Sequence, residues 1–353
     1  MGINVLSVFD GISAGQLALQ RANIQVDNYF ASEIDKYAIK ITQKNFPNTC
    51  QLGDVTKWQD WNLPKIDLLI GGSPCQGFSN AGLGLNFEDP RSKLFFEYVN
   101  ILKYYQPDYF WLENVKMKKE WQRIISEFIG VEPIEINSAL VSAQSRKRLY
   151  WTNIPNITQP EDKGILLKDI INNNFDGEEE LLRKKSKSLR IGGRNSPKDS
   201  KQEWDNLYDK NNIIAKNKSQ TVLSTIYKEN EKSMVKRKKF GLMIGCVQVG
   251  EGDIKGFDII KRVYSPDGKS PSLTTMQGGQ REPKISEDNI TWRKLTPLEC
   301  ERLQTFPDNY TEGISNTQRY KSLGNSWTVD VISHVCSFLP DSYKLPIDIK
   351  YMS

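Results

Sequence analysis

The chain of 353 residues contains a single histidine, His334, and only five cysteines. One histidine excludes a multi-histidine metal site and would leave a Ser/His/Asp triad dependent on one ring, so chemistry without a metal is expected. The cysteines, Cys50, Cys75, Cys246, Cys300 and Cys336, form no CxxC pair and cannot all be bridged. A reducing compartment is therefore expected rather than a disulfide scaffold. No apolar run approaches the roughly 18 residues of a membrane span, and the first residues already read as a strand rather than a secretory leader. The expectation is a cytoplasmic protein with no membrane partner. A GxGxxG fingerprint is also missing, which argues against pyrophosphate binding by a nicotinamide cofactor.

What is present suits a soluble globular protein. Hydrophobic residues make up 38 % of the chain, with 8 Trp, 14 Tyr and 14 Phe, which excludes a disordered or coiled-coil chain. The mean hydropathy of −0.54 indicates a polar surface. All of the net charge of +5 falls between residues 151 and 290. Such a segment fits a lobe that binds a polyanion, and equally a lysine-rich solvated surface; the Lys236–Lys239 run could touch phosphates or simply be hydrated.

Up to about residue 160, apolar runs at 3–9, 28–32, 66–70 and 109–112 read as strands, alternating with helical patterns at 13–22, 35–46, 91–105 and 118–129. This alternation predicts an α/β fold built on a doubly wound, mostly parallel sheet. Ser13 with Gln16 has the spacing of a capping box, and Asp35 can cap a helix that Pro47 stops. From 160 to 290 the alternation fades into a strand- and loop-rich lobe, where Glu179–Arg183 and Glu180–Lys184 pairs suggest one short exposed helix. Thr296-Pro297-Leu298-Glu299 then opens a helix ended by Pro307, and a last helix over 328–339 carries Val331, Val335, Phe338 and Leu339 on one stripe.

Four constellations carry chemistry. Phe9-Asp10-Gly11-Ile12-Ser13 runs from a strand through a tight turn into a helix, a geometry that brings backbone amides to a nucleoside at the carboxyl end of a sheet. Glu33, about twenty residues on and followed by Ile34, can accept ribose hydroxyls, and Asp54, followed by Val55, can meet an adenine amino group. Acids at strand ends without a basic phosphate clamp suit an adenosine bearing a positive group. Next, Gly71-Gly72-Ser73-Pro74-Cys75 follows an apolar strand. A free cysteine is ordinarily a small buried hydrophobe, but Cys75 lies in a glycine-flanked loop where ligands bind, and Pro74 stiffens the approach. Its thiolate would need positive or hydrogen-bonding neighbours. Gln144, Arg146 and Arg148 recur at spacing two and would share one face of an extended segment, which could also be a polar face in water. Finally, Glu113 closes the run Phe110-Trp111-Leu112, where an unpaired buried carboxylate would be costly, so it needs a partner or a function.

In this order, with an Arg293–Tyr310 segment and a Gly324-Asn325-Ser326 turn, the motifs resemble the DNA (cytosine-5) methyltransferase family over nearly the whole chain. Asn23–Glu33, Gly71–Cys75, Arg91–Tyr98 and Ser326-Trp327 are similar to the catalytic domain of the vertebrate de novo branch. The central lobe is similar instead to the target-recognition domain of bacterial and phage members, with Arg262-Val263-Tyr264 and Ser272-Leu273-Thr274-Thr275 to Gly278-Gly279 as its closing half.

The resemblance implies a Rossmann-like catalytic domain over 1–160 and 319–353 and a DNA target-recognition domain over 161–318. It implies transfer of methyl from S-adenosylmethionine to carbon 5 of a flipped cytosine in a specific double-stranded DNA sequence, often as part of restriction-modification. Cys75 would be the covalent nucleophile, with Glu113, Arg146 and Arg148 completing the catalytic set. Phe9, Asp10, Gly11, Ile12, Ser13, Glu33, Ile34, Asp54, Val55, Pro74, Asn325 and Ser326 would hold the cofactor. A monomer is the default at this size, and His334 is structural. A tRNA cytosine-5 methyltransferase and a catalytically silent DNA-binding relative stay open as alternatives.

Overall fold

The structure, a computed structural model, describes residues 2–73, 90–172, 180–181, 245–254, 256–275, 281–288 and 290–345. In the first half, strands and helices alternate: β1 (Ile3–Val8), α1 (Ala14–Arg21), β2 (Val26–Ser32), α2 (Lys36–Asn45), β3 (Cys50–Gln51), β4 (Leu68–Gly71), α3 (Pro90–Tyr105), β5 (Tyr109–Val115), α4 (Lys119–Ile129), β6 (Pro133–Asn137), β7 (Gln144–Ser145) and β8 (Lys147–Thr152). Seven of these strands form one sheet in the order β3-β2-β1-β4-β5-β8-β6. The first five are parallel to their neighbours, and β8 runs antiparallel to both β5 and β6.

Burial on both faces explains the apolar strand sequences. Along β1, Ile3 and Val5 enter one hydrophobic cluster while Leu6 and Val8 enter the other. Leu68 and Ile70 of β4, with Trp111 of β5, join the first face, whereas Leu69, Phe110 and Leu112 join the second. The second face is covered by Phe95, Tyr98 and Val99 of α3 and by Ile125 and Ile129 of α4.

The remaining strands are short: β9 (Glu180–Leu181), β10 (Gln248–Glu251), β11 (Arg262–Tyr264), β12 (Ser270–Pro271), β13 (Lys284–Ile285) and β14 (Thr291–Lys294), with a single-turn helix α5 (Asp258–Lys261) between β10 and β11. Five of them form a second sheet, β10-β11-β13-β14-β9, while β12 pairs with β7. Of the short helix expected around Glu180, Glu180 and Leu181 are instead in a strand, with ladder partners in Trp292 and Thr291, while Glu179, Arg183 and Lys184 lie outside the described residues. Three helices follow, α6 (Pro297–Leu303), α7 (Asn316–Asn325) and α8 (Val329–Cys336). Val331, Ile332 and Val335 of α8 seal the first face of the large sheet. Leu295, Cys300, Leu303, Phe306 and Tyr310 lie in that same core, as do Tyr264, Leu273 and Ile285.

Local signals are partly realised. Asp35 caps α2, its carboxylate accepting from Tyr37 N at 2.9 Å. Thr296 and Glu299 close a reciprocal capping box, although α6 stops at Leu303 rather than running to Pro307. Ser13 does not cap α1. It sits in the left-handed region at φ 56°, and its hydroxyl donates to Asp10 instead. His334 donates Nε2–H to Thr158 O at 2.8 Å and packs edge-on against Phe338, a structural role. Among the described residues no helix is long and apolar enough to cross a membrane.

Candidate active site

The turn leaving β1 is bent by three left-handed residues, Phe9 (φ 60°), Gly11 (φ 60°) and Ser13 (φ 56°). Only Gly11 adopts this without steric cost; a bulky residue such as Phe9 needs its surroundings to hold it there. The hold comes from Asp10, whose buried carboxylate accepts from Ser7 Oγ at 2.6 Å, Tyr29 Oη at 2.8 Å and the Ser13 hydroxyl. Burial raises its pKa even against these three donors, and burial together with Asp10 pushes the Tyr29 phenol well up. Among the expected cofactor residues, Asp10 thus directs its side chain inward to brace the turn. The side chains of Ile12 and Val55 likewise lie in the two hydrophobic cores.

The turn meets the end of β2 through Glu33. One carboxylate oxygen accepts from Gly11 N at 2.8 Å, and the other from Ile34 N at 2.7 Å and Asp35 N at 2.8 Å. The side chain of Ile34 beside it is 76 % exposed, an apolar surface next to a fixed acid. Ser32 Oγ donates to Gly53 O at 2.7 Å and draws the β3 segment alongside. Asp54 does not end β3, which stops at Gln51 because only Cys50 and Gln51 find partners on β2. Asp54 instead caps the 3-10 turn Val55–Asp60, where Thr56 N and Oγ1 hold its carboxyl below the usual range.

Glu113 lies inside β5, opposite Tyr150 of β8, rather than just beyond the strand. It is 8 % exposed. Arg148 Nε meets its Oε1 at 2.9 Å, and Trp327 Nε1 donates to its Oε2 at 3.2 Å. Burial, then the nearby Glu113 charge, raise the Tyr150 phenol pKa. Adjacent Asn114 donates to Ser73 Oγ at 3.2 Å, tying β5 to the chain that leaves β4. A Cβ on Gly72 would stand 2.8 Å from Trp327 Nε1 and 3.2 Å from Glu113 Oε2, so the backbone at this point can only be glycine. Pro74 and Cys75, which come next, lie outside the described residues.

The expectation that Gln144, Arg146 and Arg148 share one face is corrected. The extended segment switches sheets at Arg146: Gln144 and Ser145 pair with β12, whereas β8 pairs with β5 and β6. Arg148 therefore reaches Glu113. Arg146 turns to Leu273 O at 2.8 Å, Ser326 O at 3.1 Å and Gly324 O at 3.2 Å. Gln144 is buried alongside, its Oε1 accepting from Leu273 N at 3.1 Å. Asn325 is exposed at the end of α7 and Ser326 is buried just after it. Neither Trp327 nor Asn114 was singled out as functional from sequence, although each adjoins a residue that was.

The KRKK run and Gly278-Gly279 also lie outside the described residues. No group of three or more His, Cys, Asp or Glu that could hold a metal occurs among the described residues. A cavity of about 1150 Å³ opens between the Arg21–Asp330 and Lys163–Asp330 ion pairs and His334, and none of the expected catalytic or cofactor residues lines it.

A parallel sheet with one reversed strand, carrying a glycine turn after β1 and a fixed acid at the end of β2, is the architecture of a Rossmann-like methyltransferase. Solved structures share the fold: the Entamoeba histolytica methyltransferase EhMeth at a TM-score of 0.61 and 17 % identity over 98 % of this chain and 100 % of that one, and a variant of Spodoptera frugiperda DNMT2 at 0.58 and 18 % over 96 % and 99 %. Residues 3–339 match the family described as C-5 cytosine-specific DNA methylase. The chain belongs to that family and is a DNA (cytosine-5-)-methyltransferase. It is similar to a type II methyltransferase of Lactococcus lactis subsp. cremoris, 30 % identical over 93 % of this chain and 75 % of the relative. It is also similar to an orphan methyltransferase of Bacillus phage rho11s, 27 % identical over 97 % and 98 %.

Proposed function

We propose that the chain methylates carbon 5 of cytosine within a specific sequence of double-stranded DNA, using S-adenosylmethionine, base flipping and a covalent adduct through Cys75. One observation carries the reading: the buried Glu113 carboxylate is held from two sides by Arg148 and Trp327, and Asn114 next to it grips Ser73, two residues before Cys75. A carboxylate so fixed, with Asn114 tied to Ser73 two positions before Cys75 in sequence, suits binding of a pyrimidine edge while a sulfur attacks the ring.

The donor set fits S-adenosylmethionine. Three backbone N–H groups hold the Glu33 carboxylate rigid and leave about one of its four lone-pair positions for a ribose hydroxyl. Ile34 offers an apolar surface for a base, and the acids Glu33 and Asp54 suit a positive rather than an anionic ligand. When bound, this group supplies an electrophilic methyl.

The chain's own residues then act on the DNA base. Flipping the cytosine costs a few kcal/mol, which contacts in the pocket must offset. Cys75, as thiolate, adds to carbon 6, forming the C–S bond and pushing electron density to carbon 5. Glu113 accepts from the exocyclic amino group and shares a proton with ring nitrogen 3, and that proton neutralises the charge the thiolate brings to the adduct, while Arg148 faces the carbonyl oxygen and holds Glu113 in place. Once carbon 5 carries the methyl group, loss of its proton to a base restores the double bond and expels the Cys75 thiolate.

The test is trapping with duplex DNA containing 5-fluorocytosine, in which the proton to be lost is replaced by fluorine. The parent enzyme should form an adduct stable to denaturation, and Cys75→Ala should form none while still binding S-adenosylmethionine. An adduct on tRNA but not on duplex DNA, or one that survives Cys75→Ala, would overturn the reading.

A further inference from the structure

The two oxygens of Glu113 have different partners, and only one of them was visible as a motif. Arg148, two residues along β8 from the residue facing Glu113, takes Oε1. Oε2 is met by the indole N–H of Trp327, which is 214 positions away in sequence and 7 % exposed. The Trp327 ring is wedged among three elements. It packs edge-to-face on Trp111 of β5, with centroids 6.2 Å apart. Its Cζ3 lies 3.2 Å from where a Cβ on Gly15 of α1 would stand, and its Nε1 lies 2.8 Å from the same position on Gly72. A ring confined on these sides has one orientation, so its N–H is a fixed donor rather than one that can turn away.

We infer that Trp327 is a positioning residue: its indole N–H fixes the plane of the Glu113 carboxylate so that the remaining lone pairs face the cytosine edge. Arg148 alone would leave the carboxylate free to rotate about its Cγ–Cδ bond, since a single contact at one oxygen does not set a plane. With a donor on each oxygen the plane is set before the base arrives. The inference rests on the base-binding role proposed above for Glu113.

The test uses the full chain and two backgrounds. Trp327→Phe keeps an aromatic ring and removes only the N–H; Trp327→Ala removes both and reports the packing role. For Trp327→Phe we expect kcat on duplex DNA to fall tenfold or more, the scale on which a lost hydrogen bond to a charged group appears in a rate. KM for S-adenosylmethionine and the urea midpoint should stay close to the parent values. In a Glu113→Ala background the same substitution should change the residual rate less than twofold, because a group that acts through Glu113 has nothing left to position. Parent-like kcat in Trp327→Phe, or an equal fall in both backgrounds, overturns the inference and leaves the proposed function standing. A parent enzyme that methylates no cytosine, or a Cys75→Ala variant with full turnover, overturns the function and the inference with it.

Discussion

Replacing Gly324 by alanine provides a test in which even the sign is informative. Gly324 lies one residue from the end of α7 with an ordinary helical φ, and it is buried. At an open helical position Gly→Ala stabilises by roughly 0.5–1 kcal/mol, because alanine loses less backbone entropy on folding. Here an added Cβ would stand 1.9 Å from Thr274 O, 2.4 Å from Thr274 C and 2.8 Å from Thr275 N. All three are backbone atoms, so no side chain can swing away, and one segment must move by about 1.5 Å to restore van der Waals contact. That movement would also strain the hydrogen bonds from Arg146 to Leu273 O and Gly324 O and from Leu273 N to Gln144. Overpacking of this kind costs about 3 kcal/mol at the upper end of its usual range. With a urea slope of roughly 3 kcal/mol/M, the midpoint should fall by about 1 M. Urea unfolding followed by tryptophan fluorescence measures it. A midpoint equal to or above that of the parent would refute the close approach of Thr274 to α7.

Two further predictions concern charge. Lys269 is fully buried, and its ammonium donates to Ala139 O at 2.7 Å, Ser142 O at 2.9 Å and Ile165 O at 2.5 Å; Lys269→Met should lower the unfolding free energy by about 2–4 kcal/mol, read from urea midpoints, because three buried carbonyls lose their donor. Burial alone would raise the Asp35 pKa, but hydrogen bonds from Lys321 and Tyr37 N outweigh it and hold the carboxyl below 3.8. The Asp35 contribution is therefore present above pH 3.8 and lost as pH falls through the lowered folded value. Asp35→Asn keeps the cap and loses the partly exposed bridge, so it should cost at most about 1 kcal/mol near neutrality, and the difference should vanish in acid; a cost that persists below the lowered value would contradict this.

The large sheet was legible because its strands are buried on both faces, which writes them as unbroken apolar runs such as Ile3–Val8 and Leu68–Gly71. The acids and the glycine turn were legible as residue types, and the family's order of motifs placed them. Individual side-chain directions were not. Ser13 has the sequence of a cap, yet the buried Asp10 carboxylate competes for its hydroxyl and wins. Spacing two places Arg146 and Arg148 on one face only while the strand is continuous, and nothing local announces that β7 leaves for β12 at that residue. The Trp327–Glu113 contact bridges the two ends of the chain, so no local window holds both partners.

The switch at Arg146 gives two neighbouring arginines different physical tasks. Arg146 is buried, and its planar fork donates to Ser272 Oγ, Leu273 O, Gly324 O and Ser326 O, four acceptors on two separate segments. A lysine ammonium, a compact point donor, could not span them. The turn at 324–326 is thereby pinned to the returning 272–273 segment, and the residue that leaves this turn is Trp327, whose indole reaches Glu113. Arg148 acts on the same carboxylate directly from β8. Arg146 thus sets the starting point of one of the two groups that hold Glu113, while Arg148 is the other. The segment that closes the small strand-rich lobe and the carboxylate assigned to the cytosine edge are joined by one unbroken run of hydrogen bonds and backbone.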